Sequence, residues 1–221
     1  MTPFRTDALG YVAELEPSER IVLAQLAGDV AQMLQEQVPP REDAPDDAGE
    51  PGAGWAPPGW TGPVPGGAAP RPADAPQDPA VRRLLPDASD DADVAAEFRR
   101  YTQGDLAAEK VGRLVLLGQM LVDGEPESAA PFVVPRDAAR RVAGALTDVR
   151  LVLADRLDLR TDEQVEGLYD ELDAEGEDGP DDGAAARRFL VSVFLLTGLL
   201  QESLVDGMLA DLRAGHGEAR G

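Results

Sequence analysis

Three long stretches, Asp93–Leu121, Arg136–Leu157 and Ala184–Leu212, carry apolar residues at helical spacing, which points this chain to a helical bundle. In the middle stretch Val142, Leu146, Val149 and Leu153 stand at i, i+4, i+7 and i+11, one face of a helix. In the first, Leu106, Leu114, Leu117 and Leu121 form an apolar stripe. The last is apolar around most of its circumference between Phe189 and Leu200, the profile of a helix at the centre of a bundle. Aromatic residues make up only 5% of the chain, so aliphatic side chains must fill the core.

Shorter signals surround these helices. Phe4 and the run Tyr11–Leu15 flank a turn at Asp7–Gly10, with alternation in the second arm, and predict a β-hairpin. Pro17 suits a first helical turn, and Leu23, Leu26, Val30, Met33 and Leu34 then share a face of a helix ending near Gln37. Asp78 before Pro79 predicts a capped short helix to Leu85. A further helix starts near Asp90 or Asp91, and Thr102–Asp105 resembles a capping box that would kink or restart it. Phe132–Val134 offers a strand that could join the hairpin. Thr161–Gln164 is a capping box opening a helix to about Leu172.

Two segments break the pattern. Twelve of the 19 prolines fall between Pro39 and Pro79, among glycine and alanine, so residues 38–77 are expected to form a disordered or loosely draped insertion. That insertion holds both tryptophans, Trp55 and Trp60, which fit either a docking motif or an incidental low-complexity loop. Thr161–Asp182 contains eleven acidic residues and no basic one, half of the net charge of −22. Asp170, Glu171, Asp173 and Glu175 in this stretch suit electrostatic steering of a basic partner. Residues 173–183 are read as an acidic loop. Its spacing mimics a calcium loop, but Glu171 stands for the first Asp and Asp182 for the last Glu, and a solvated acidic surface explains it as well. We therefore expect one domain over 1–221, interrupted by these two segments.

Chemistry is scarce. Cysteine is absent, which removes disulfides, zinc–thiolate sites and thiol switching. His216 is the only histidine and lies beyond the expected end of the last helix, with nothing to orient it as a base. There is no Gly-rich phosphate loop, nucleophile elbow or metal-binding histidine motif. No catalytic residue, cofactor or metal is expected, and the chain is read as a non-enzyme. Lys110, the only lysine, invites a Schiff-base reading, but a lysine snorkelling from the helix edge or paired with Glu202 is commoner. Gln201 and Glu202 break the apolar last helix and would satisfy an arginine such as Arg150 or Arg156.

Charge narrows the partners. A polyanion with a pI near 4.2 repels nucleic acid unless its cations are segregated, so a basic protein is the better partner. The competing reading is direct DNA binding through Arg136, Arg140 and Arg141, neighbours on one helix face. The N-terminus lacks the apolar core of a secretion signal. The run Phe189–Leu200 falls short of the roughly 20 residues that span a bilayer. A cytoplasmic protein is expected.

Three ordered blocks resemble a family. Glu97-Phe98-Arg99-Arg100 with Thr102, Leu106, Lys110 and Val111 resembles the first signature of the actinobacterial AosR-like family, the actinomycete oxidative stress regulators. Ala145–Leu151, with Asp148 and Arg150, followed by Arg156 and Leu157, looks like the second; Leu200–Val205, with Gln201 and Glu202, looks like the third. The resemblance implies a transcription regulator acting through protein binding to a stress sigma factor or polymerase subunit. Phe194-Leu195-Leu196 replaces an aromatic cluster usual before the third block, and the missing cysteines mean that no thiol switch carries over.

Overall fold

The structure, a computed structural model, describes residues 1–38, 75–123, 131–173 and 182–218, with backbone alone at 173, 182 and 215–218. It is mainly α-helical with a small antiparallel sheet, as the periodicity predicts. Strands β1 (Thr2–Asp7), β2 (Gly10–Glu14) and β3 (Phe132–Val134) pair in the order β1-β2-β3. Tyr11 faces Val134 across the second pair and Thr6 across the first. The alternation expected in the second arm is lost, because Gly10–Ala13 form the middle strand and are all buried. Gly10 has φ 138°, and a Cβ there would collide with the Val134 carbonyl, so the hairpin turn requires glycine.

Four of the helices begin where their sequence punctuation lies. Helix α1 (Pro17–Gln37) starts on Pro17, with the Glu16 amide donating to the Glu19 carboxylate at 2.8 Å. In α2 (Pro79–Leu84) the Asp78 carboxylate accepts from the Ala80 amide. Asp91 does the same for Asp93 and Val94 at the head of α3 (Ala92–Val122). The Thr161–Gln164 box opens α5 (Asp162–Asp173).

Helix α3 is continuous through Thr102, which corrects the expected restart there. The Thr102 hydroxyl donates back to the Phe98 carbonyl at 2.9 Å, a bond that fits inside a helix and leaves no cap. Leu106 is also corrected: it is 43% exposed. The buried line runs through Gln103, Ala107, Leu114, Leu117 and Leu121, and Leu106 sits about 100° away from Ala107 around the helix.

Helix α4 (Ala139–Arg156) packs against α1, α2, α3 and α6, and buries Val142, Leu146, Val149 and Leu153 as expected. It starts three residues later than Arg136. Pro135–Ala138 turn first, and the Arg136 guanidinium reaches back to the Asp7 and Ala8 carbonyls and to Asp211. Helix α6 (Asp182–Glu218) lies on α4, α5 and the first two strands, burying Val191, Val193, Phe194, Leu200 and Leu204. Its other side leaves Leu199, Leu209 and Leu212 exposed. Although Phe189–Leu200 alone is short, the helix over Gly183–Ala214 is long and apolar enough to cross a membrane by length and composition. His216 falls inside α6 rather than beyond it.

Candidate functional site

The three sequence blocks converge on α4. Asp148, fully buried, accepts from Lys110 Nζ at 2.7 Å through one oxygen and from Arg113 Nε at 2.6 Å through the other. Lys110 and Arg113 are three residues apart on α3, so one helix delivers two cations to a single carboxylate on α4. Gly144, one turn before Asp148, makes room: a Cβ there would lie 3.0 Å from Arg113 Nη1. Two residues after Asp148, Arg150 donates to Gln201 Oε1 at 2.9 Å and stacks 5.1 Å from the Phe194 ring. The Gln201 amide in turn donates to the Thr147 hydroxyl at 2.8 Å. A polar seam thus ties α3 to α4 and α4 to α6.

This arrangement is built for cohesion. Both Asp148 oxygens are occupied by cations, and Lys110 is committed to that carboxylate, so its expected pairing with Glu202 is corrected. Glu202 is exposed on α6 and, among the described residues, forms no ion pair with Lys110 or an arginine. Gln201 does satisfy Arg150, as expected, whereas Arg156 instead holds Asp78 at 2.7 Å, tying α4 to the cap of α2. Burial pulls the Asp78 carboxyl upward, but the Arg156 bond and the Ala80 and Val81 amides outweigh it and hold the group below its ordinary value. Arg99 pairs with Asp87, ahead of α3.

The acidic stretch is reached only in part. Asp170 is exposed on α5, and Glu171 takes both hydrogen bonds of a fork from Arg187, at 2.7 and 3.0 Å. A Glu171 so engaged is a poor first ligand for calcium. Among the described residues no three histidine or carboxylate side chains gather to hold a metal. Trp55, Trp60 and Glu175, and the side chain of Asp173, lie outside the described residues. The ends of the Pro-rich insertion do meet: the Gln77 amide donates to Gln37 Oε1 at the close of α1.

Two features have no counterpart in the sequence reading. Tyr11 donates to Asp211 at 3.0 Å, Arg136 binds the same carboxylate oxygen at 2.8 Å, and Gly207 lets the tyrosine ring lie against α6. Burial first, then the bond to Asp211, raises the Tyr11 hydroxyl above its ordinary value. The bonds from Arg136 and Tyr11 hold Asp211 below its own. The second is a shallow groove of about 430 Å³ on α3, lined by Asp93, Val94, Glu97, Phe98 and Tyr101. Val94, Phe98 and Tyr101 are 53%, 51% and 48% exposed. Of the residues in the first sequence block, Phe98 is therefore the one that faces outward with an aromatic ring. Of the three arginines offered as a DNA-binding face, all exposed, only Arg140 and Arg141 lie on α4: Arg136 precedes it and is held by Asp211, while Arg141 leans on the Gly112 carbonyl.

A model of the family described as Domain of unknown function (DUF2017) matches residues 1–208, and the chain belongs to that family. No curated protein and no solved structure shows a significant match.

Proposed function

We propose that this DUF2017 member is a transcription regulator of the oxidative-stress type, working in the cytoplasm without an enzymatic reaction, by binding a sigma factor or another polymerase subunit. The choice of partner rests on the AosR-like resemblance of the three blocks. The observation that carries protein binding is the exposed apolar groove of Val94, Phe98 and Tyr101 with Asp93 and Glu97 on its rim. Apolar side chains grouped in this way are characteristic of contact surfaces, and a chain of net charge −22 favours a basic partner over DNA.

The remaining polar clusters support the same reading, since Asp148, Gln201 and Asp211 spend their hydrogen bonds inside the protein. With no cysteine present, the oxidative signal enters through the partner or upstream of it. The test is an affinity purification of the tagged full chain from cells, with sigma factors and polymerase subunits quantified against an unrelated acidic bait. Specific enrichment that is lost in high salt is the expected result. Equal recovery from both baits overturns the proposal. A gel shift at low salt is the complementary test, and tight binding of bare DNA would replace this reading with the DNA-binding one.

A further inference from the structure

The groove is one end of a longer pattern. Val94, Phe98, Tyr101, Asp105, Ala108, Gly112, Val115, Gln119 and Val122 follow each other at alternating spacings of four and three residues. All nine are exposed, and they run the length of α3, about 42 Å at the rise of an α-helix. The inner face of the same helix keeps the same period through Gln103, Ala107, Lys110, Leu114, Leu117 and Leu121, which close against α1 and α4. The two lines lie on opposite sides, since Lys110 is two positions from both Ala108 and Gly112, roughly 200° around the helix. Alternation of four and three is the spacing of a seam that receives another helix, at about 3.5 residues per turn.

The charge on this outer face selects the occupant. Asp93, Asp105 and Glu109 are exposed and form no ion pair among the described residues. Glu97 is met by Arg100, whose guanidinium also stacks 4.9 Å from the Tyr101 ring. Lys110 and Arg113 point inward to Asp148. Arg141 of α4 reaches the Gly112 carbonyl beside the middle of the seam and is, among the described residues, the one cation there set against Asp93, Asp105 and Glu109, so the outer face keeps an anionic excess around its apolar residues. A second copy of this chain would add more negative charge to that face, and an anionic lipid surface would be repelled. A helix carrying Lys or Arg beside its apolar stripe is complementary.

We propose that the outer face of α3, from Val94 to Val122, is a docking seam for a basic amphipathic helix of a partner protein. This rests on the protein-binding reading above and says where the partner sits. Phe98 and Tyr101 supply the anchors, the residue type that dominates binding energy at contact surfaces. Ala108 and Gly112 leave a shallow middle that accepts large apolar side chains from the partner. Asp105, a carboxylate in the centre of the seam, sets the register by pairing with one cation of the incoming helix.

A photo-reactive aromatic amino acid placed at Phe98, at Val115 and at the exposed Tyr169 of α5 in the full chain, and activated in cells, tests this directly. Cross-links from Phe98 and Val115 to one helical, net-basic segment, at yields about tenfold above Tyr169, are expected from a seam buried by its partner. Cross-links from Tyr169 alone would place the partner elsewhere, overturning the seam while leaving protein binding intact. No cross-link from any position overturns both. Cross-links from Phe98 to a second copy of this chain, or to an acidic segment, overturn the choice of occupant.

Discussion

The two faces of α3 share one spacing and meet opposite fates. On the inner face Ala107, Leu114, Leu117 and Leu121 are closed over by α1 and α4, with Lys110 and Arg113 locked onto Asp148. On the outer face Val94, Phe98, Tyr101 and Val115 keep a sparser apolar line in water, at the same spacing. A repeat of apolar residues thus says that a helix face can receive a partner. Whether that partner is part of the same chain depends on the charges beside it. Inside, one buried carboxylate holds two cations in direct ion pairs; outside, the border carries exposed carboxylates, Asp93, Asp105 and Glu109, without such partners among the described residues.

Substitutions should separate the faces by stability. Asp148→Ala leaves Lys110 and Arg113 against an empty buried position, and should cost about 3 kcal/mol or more in urea unfolding. If it costs no more than a surface change, the ionic cluster is not the clamp between α3 and α4. Leu117→Ala should cost about 2–5 kcal/mol through the cavity it leaves. Val115→Ala, two residues away on the outer face, should cost less than about 0.5 kcal/mol. Equal losses at Leu117 and Val115 would erase the distinction between the faces.

A smaller effect concerns pH. Asp78 titrates below its ordinary value in the folded protein, so its contribution is complete above the unfolded aspartate pKa and is lost as pH falls through the lower, folded one. The urea midpoint should therefore fall as the solution is acidified, and Asp78→Asn should show a shallower fall than the wild type over that acid range. Parallel curves would mean that the Arg156 bond and the cap of α2 carry no net stability. The smallest effect is on redox: mild peroxide that spares methionine should leave partner affinity unchanged, since no cysteine exists to switch. A reversible change would contradict that.

Much of the fold was legible because local chemistry decides it. Pro17, Asp78, Asp91 and the Thr161–Gln164 box mark helix starts that the backbone uses. The errors fall where tertiary contacts choose between local options. Thr102 could cap or bond backwards, and an α3 held against α1 favours the bond to Phe98. Arg136 could open α4, but the hairpin carbonyls and Asp211 draw it out. Lys110 was readable as a residue near the core, yet only packing reveals that its partner is Asp148 and that Arg113 shares it. Arg113 was findable in principle, one turn after Lys110 on the same face. The outer seam was hidden because alanine, glycine, Asp105 and Gln119 dilute its apolar residues, and the repeat shows only once the inner line has been assigned.

The central claim is that the outer face of α3 works in binding and not in holding the fold. Its most direct test is the affinity for the polymerase subunit recovered with the full chain, comparing wild type with Phe98→Ser/Tyr101→Ser at matched unfolding midpoints. A loss of about tenfold or more with the midpoint unchanged is predicted from the removal of two aromatic anchors. Equal affinity of the two proteins would contradict the account.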